Sequence, residues 1–123
     1  MTQKLLLVDD SGLARRSMRA ILEPAGFVVV EAEDGLTAIE RYYLEKPDLV
    51  ILDLVMKGMY GLDVLTKLRE LDPAVRVIIV SADVQQSSQD LVEAAGAVGF
   101  INKPVDPARV LSLVRGALAG SAS

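Results

Sequence analysis

The sequence predicts an α/β fold, a doubly wound parallel sheet of about five strands in one domain. Three observations carry this expectation. Five short apolar runs recur along the 123 residues, and each is followed by a stretch whose apolar residues repeat at helical spacing. The runs are almost free of polar residues, as strands buried on both faces of a parallel sheet are. Each run also stops abruptly at a polar or turn-forming residue, so connections on one end of the sheet are marked in advance.

In chain order, Leu5–Val8 is the first strand and stops at Asp9-Asp10. Ala14, Met18, Ile21 and Ala25 then mark a helix, with Pro24 and Gly26 as its stop. Phe27–Val30 is rich in β-branched residues and reads as the second strand. Leu36, Ile39 and Tyr43 mark the next helix, which Pro47 ends, and Leu49–Leu52 is a strand stopping at Asp53. Gly58 and Gly61 punctuate a loop, after which Leu62, Leu65, Leu68 and Leu71 mark a helix. Val75–Val80 is the fourth strand and stops at Ser81. Val84, Ser88, Leu91, Val92 and Ala95 give a modest helical stripe, and Val98–Ile101 is a short strand ending near Lys103-Pro104. Val110, Leu111, Val114 and Leu118 mark the last helix, and Gly120–Ser123 reads as a frayed tail.

Composition narrows the function. Hydrophobic residues make up 51% and charged residues 24%, enough apolar surface for the chain to fold alone. Absence of cysteine removes disulfides and thiolate metal sites. Absence of histidine removes histidine-based zinc sites and histidine-dependent triads, so any nucleophile, acid or base is Asp, Glu, Lys, Ser, Thr or Tyr. A net charge of −4 without a basic stripe argues against nucleic acid. No apolar run approaches membrane-spanning length, and Leu5–Val8 is too short for a signal-peptide core, so a cytoplasmic protein is expected.

Polar residues collect where four strands end: Asp9 and Asp10, Asp53, Ser81 and Lys103. Open parallel sheets bind ligands at the carboxyl ends of their strands, near the point where strand order reverses. The four ends would bring three carboxylates, a hydroxyl and an ammonium into one cleft. Two carboxylates about 4 Å apart repel by roughly 4 kcal/mol at an effective dielectric near 20, so such a cluster invites a cation. Oxygen-only donors suit Mg2+, which also grips phosphate oxygens. A carboxylate beside that ion can attack phosphorus, while a lysine and a hydroxyl hold the phosphoryl oxygens. Taken singly, each residue also fits an ordinary part: a helix cap, a turn, a surface charge. Their joint placement at strand ends favours the site.

Specific segments then carry a resemblance. Val8-Asp9-Asp10-Ser11, Asp53-Leu54-Val55-Met56 with Gly61 downstream, Ser81-Ala82, and Gly99-Phe100-Ile101-Asn102-Lys103-Pro104 occur in that order. With them the chain resembles the receiver domain of two-component response regulators over nearly its whole length, in a single-domain, chemotaxis-regulator-like form. The resemblance implies a flavodoxin-like sheet ordered 2-1-3-4-5, with the receiver domain over residues 1–120 and a flexible tail over 121–123. It implies that Asp53 is the phosphoacceptor, served by a sensor histidine kinase or histidine phosphotransfer protein. Asp10 and Asp53 would bind Mg2+ directly, Asp9 directly or through water, and the Val55 carbonyl would complete the ligands. Lys103 would pair with the phosphoryl group and Ser81 would hydrogen-bond it. Small Ala82 would leave the approach open, Phe100 would be the aromatic switch, and the Lys103-Pro104 peptide would be cis.

Some positions depart from the family pattern. Lys57 stands where Pro is common, Ser81 replaces the commoner Thr, and Asp83 lies where relatives vary in admitting hydrolytic water. The expected function is a phosphoryl-accepting signalling switch, a monomer or weak dimer that binds an unidentified output protein and turns over no external substrate. Three rival readings give different sequence signals. A flavin or nucleotide binder would show a glycine-rich loop after the first strand, where Asp9-Asp10-Ser11-Gly12 is a poor one. An aspartate-based phosphohydrolase would need a further acid–base residue and a lid. An interaction module without phosphorylation would not need all five site residues.

Overall fold

A computed structural model describes residues 2–56, 59–82 and 86–120. Its elements are β1 Lys4–Val8, α1 Gly12–Leu22, β2 Val28–Ala32, α2 Gly35–Glu45, β3 Leu49–Asp53, β4 Val55–Met56, β5 Met59–Tyr60, α3 Gly61–Leu71, β6 Val77–Ser81, α4 Gln86–Ala94, β7 Gly99–Asn102 and α5 Pro107–Gly120. Five strands form one parallel sheet in the order β2-β1-β3-β6-β7. Counting only these five, that is the expected order 2-1-3-4-5. The extra pair β4–β5 is a small antiparallel ribbon where the sequence suggested only a loop.

Alternation along each strand divides the core in two. Leu6, Val8, Val50, Leu52, Val77 and Ile79 face one side, where Ala38 of α2, Val64, Leu65 and Leu68 of α3 and Val92 of α4 cover them. Leu5, Leu7, Leu49, Ile51, Ile78 and Val80 face the other, under Met18 and Leu22 of α1 and Val110, Val114 and Leu118 of α5. Each fully buried Leu or Ile side chain contributes about 1.5–3 kcal/mol, so both faces drive folding. This double burial explains why the strands read as unbroken apolar runs.

Helix ends follow their local chemistry. The Ser11 hydroxyl accepts from the Ala14 N–H at 3.2 Å, and Asp34 accepts from the Thr37 N–H at 2.8 Å, capping α1 and α2. Lys46 ends α2 in the left-handed region at φ 48°, and buried Pro47 follows. Gly96 turns α4 toward β7 at φ 101°, and the Arg69 guanidinium lies where its Cβ would be.

Several boundaries and faces differ from expectation. β2, β6 and β7 begin one or two residues later than their apolar runs and include Glu31, Ser81 and Asn102. The Phe27 N–H closes back on the Leu22 carbonyl, and Val75, though buried, donates to the Asp72 carbonyl in a turn. Apolar runs therefore do not mark strand ends, which are set by ladder pairing. Leu36 and Tyr43 of α2, expected on its covered face, are exposed at 75% and 74%. Ala38 points inward instead, with Ile39 and Tyr42 beside the core. Leu71 and Leu91 are likewise exposed. Lys57, Gly58, Asp83, Val84 and the expected tail over 121–123 lie outside the described residues.

Candidate functional site

Sheet register assembles the site. Val8 pairs with Leu52, so Asp9, just past β1, stands beside Asp53 at the end of β3. Asp53 pairs with Val80, which puts Ser81 one step beyond at the end of β6. Ser81 pairs with Asn102, and the Lys103 N–H donates to the Ser81 carbonyl at 2.8 Å. The chain leaves β1 toward β2 and leaves β3 toward β6, in opposite directions, so a crevice opens between the carboxyl ends of β1 and β3.

Asp9, Asp10 and Asp53 each offer a carboxylate oxygen within 4.8 Å of the other two. Asp9 and Asp53 are buried and Asp10 is exposed. The Lys103 ammonium lies 3.5 Å from Asp9 Oδ2 and 3.6 Å from Asp53 Oδ2. Asp9 Oδ1 accepts from the Ser11 N–H at 2.9 Å. Val55 opens β4, and its N–H donates to the Asp53 carboxylate. Ser81 is buried and Ala82 is exposed. The Lys103-Pro104 peptide is cis, as expected.

Burial, and then the charge on Asp9, push the Asp53 carboxyl up from 3.8 to about 6, while Lys103 and the Val55 N–H pull it back. A recess of about 170 Å³ lies beside it, lined by Met18, Ile51, Val80 and Val105 among others. The folded state thus binds the Asp53 proton more tightly than the unfolded chain does. Without metal, the contribution of Asp53 to stability is therefore lost as pH rises from about 4 through 6 and recovered as pH falls again. Asp53→Asn removes the cost. In EDTA it is expected to stabilise the protein at pH 7.5 by about 1–3 kcal/mol, a gain that shrinks toward pH 4.5. Urea unfolding at both pH values checks this, and equal midpoints at pH 7.5 would contradict it.

Phe100 is not part of the acidic cluster. It is half-buried, packs against the core on the α2–α3–α4 side, and pairs with Ile79. Ser81 lies two residues after Ile79 and so faces the same side of the sheet. Two residues went unnoticed in the sequence. Arg15 donates to the Asp9 carbonyl at 2.6 Å, and Glu31 accepts from Arg15 at 2.6 Å. An available signal was Glu31 itself, an acid within the otherwise apolar Val28–Ala32 strand.

Three carboxylates with only oxygen donors fit Mg2+: Lys103 offsets one of their charges, and a divalent cation would compensate the other two. Comparisons agree with this geometry. Residues 5–115 match the family described as response regulator receiver domain. The chain is 40% identical over 115 residues to the chemotaxis protein CheY of Bacillus subtilis, covering 93% of this chain and 96% of that protein. It is 34% identical over 110 residues to sporulation initiation phosphotransferase F of the same organism, covering 86% of each. A solved complex of CheX, CheY, BeF3 and Mg2+ from Borrelia burgdorferi matches with a TM-score of 0.89 and 33% identity, over 93% of this chain and 87% of that one. The chain belongs to the response regulator receiver domains, the phosphoryl-accepting switches of two-component signalling.

Proposed function

We propose that Asp53 is the residue that takes the phosphoryl group, from a phosphohistidine on a sensor histidine kinase or histidine phosphotransfer protein. The observation that carries this reading is the convergence of Asp9, Asp10 and Lys103 on a buried Asp53. Near neutral pH Asp53 is mostly ionised and can act as the nucleophile. One of its oxygens forms the new bond to phosphorus as the phosphorus–nitrogen bond to the donor imidazole breaks, and that imidazole leaves with the electron pair. The chain has no histidine, which suits a donor located in another protein.

Asp10, Asp53, Asp9 and the Val55 carbonyl would hold Mg2+, which supplies positive charge to the transferring phosphoryl oxygens. Lys103 holds a phosphoryl oxygen by its ammonium, and the Ser81 hydroxyl donates to another. Ser81 and Phe100 share one sheet face, so a shift of Ser81 toward the phosphoryl group frees space beside Phe100. The altered surface then lies near Gln89, Glu93 and Asn102, where an output protein binds. The CheX–CheY complex of the Borrelia relative supports binding of a protein partner by a domain of this fold. The remaining proposals are a cytoplasmic protein, monomer or weak dimer, whose catalysis is confined to its own phosphorylation and dephosphorylation. Among the described residues, no helix is long and apolar enough to cross a membrane.

Mg2+ titration followed by backbone amide shifts tests the metal set. Asp10→Ala is expected to weaken binding at least about tenfold, because one of three hard charged donors is gone. Glu70→Ala, which removes an exposed acid on α3, should leave it unchanged. Equal affinity of Asp10→Ala and wild type would remove Asp10 from the site.

A further inference from the structure

We infer that Arg15 is a positioning residue for the acidic cluster, locked in place by Glu31; this rests on the Mg2+ reading above and deepens it. Arg15 lies one turn into α1, with its side chain only 17% exposed. Its Nε donates to Glu31 Oε1 at 2.6 Å, and its Nη1 donates to the backbone carbonyl of Asp9 at 2.6 Å. The second Glu31 oxygen accepts from Arg19, which also pairs with Glu23 at 2.9 Å. Arg19 and then Arg15 hold the Glu31 carboxyl below the usual carboxylate range, against the effect of burial. Glu31 is therefore an ionised anchor at physiological pH.

The anchor matters because of what it grips. The Asp9 N–H donates to the Ala32 carbonyl at 3.2 Å, so residue 9 is tied to β2 through its N–H directly. Its carbonyl is tied to β2 as well, through Arg15 and Glu31, the residue before Ala32. A peptide unit is planar, so the Asp9 carbonyl oxygen moves together with the nitrogen and Cα of Asp10. Arg15 thereby sets the plane from which the Asp10 side chain departs. A planar guanidinium can hold the carboxylate and the carbonyl at once with fixed directions, which a lysine ammonium does less well.

Charge and position make opposite predictions. Arg15 is a cation near a proposed cation site, so on charge alone its removal would tighten Mg2+ binding. As a positioning residue, its removal loosens the site.

The test measures Mg2+ affinity by amide shift titration, with urea midpoints in parallel. Arg15→Met is expected to weaken Mg2+ about tenfold, as loss of an outer-shell partner does. Arg15→Lys, which keeps the charge but not the fork, should recover only part of that loss. Arg19→Met removes the other arm on Glu31 without touching Asp9. It should lower the urea midpoint comparably yet leave Mg2+ affinity within about twofold. An Arg15→Met protein that binds Mg2+ as tightly as wild type, or more tightly, overturns the inference.

A metal-free readout separates this outcome from failure of the Mg2+ reading. In EDTA, the Asp9 carbonyl carbon resonance should shift in Arg15→Met and stay in place in Arg19→Met. No such shift overturns the inference whatever the metal does. Absence of saturable Mg2+ binding by the wild type overturns the reading on which it rests.

Discussion

Acetyl phosphate with Mg2+ should add one phosphoryl group to the wild-type protein and none to Asp53→Asn, as read by intact-mass spectrometry. The three carboxylates of the cluster are not equivalent as nucleophiles. Asp9 has one oxygen accepting from the Ser11 N–H and the other facing Lys103. Asp10 is exposed at the mouth. Asp53 is buried beside both Asp9 and the Lys103 ammonium, where fixed charges act in a low dielectric and little reorganisation is needed. The substitution removes the attacking oxygen's charge while keeping its shape, so loss of labelling reflects chemistry and not unfolding. Labelling of Asp53→Asn at the wild-type level would move the acceptor to another residue. The same preparation examines the switch. Beryllofluoride, a phosphoryl mimic, should shift the ring resonances of Phe100 in the wild type and leave those of Asp53→Asn in place. Unmoved ring signals in a saturated wild-type protein would exclude Phe100 from the response.

How far the sequence reached depends on what each residue does physically. Strands β1 and β3 were legible because every residue from Leu5 to Val8 and from Leu49 to Leu52 is buried, and burial on both faces leaves an unbroken apolar run. Ends of strands were less legible, since Ser81 and Asn102 join the ladder through backbone groups that their polar side chains do not advertise. The covered face of α2 was misjudged because Leu36 and Tyr43 repeat at a helical interval as well as the inward residues do. Spacing identifies a stripe without saying which way it faces. Asp9, Asp10, Asp53 and Lys103 were legible because a parallel sheet sends consecutive strand ends to one edge. Phe100 had no such signal, and only family resemblance singled it out. Arg15 stayed hidden because its partner on the site is a backbone carbonyl, and no side-chain pattern records a carbonyl's needs.

Gly61→Ala should be among the most damaging single substitutions in the protein, although it adds one methyl group and lies outside the acidic cluster. Gly61 begins α3, and its N–H donates to the Leu54 carbonyl at 2.6 Å. A Cβ at this position would stand 2.8 Å from the Leu54 Cα, and closer still to the Asp53 carbonyl oxygen. Neither atom belongs to a flexible side chain, so relief requires moving the backbone that carries Asp53 and leads to Val55. Overpacking against fixed neighbours costs about 1–3 kcal/mol or more, and this clash with backbone on two residues belongs at the upper end. A domain with a stability of about 5–15 kcal/mol would still fold, so function can be measured in the folded variant. Displacement of the Asp53–Leu54 peptide should misplace both the Asp53 carboxylate and the Val55 N–H that bonds it. Acetyl phosphate labelling is therefore expected to slow at least about tenfold, because attack depends on near-contact alignment of the reacting atoms. Gly116→Ala is the control. A Cβ there meets nothing within 4 Å, and alanine is the better helix former by about 1 kcal/mol, so that variant should be slightly stabilised and label normally. If Gly61→Ala matched Gly116→Ala in both urea midpoint and labelling rate, close approach of α3 to the Asp53 backbone would have no part in holding the site.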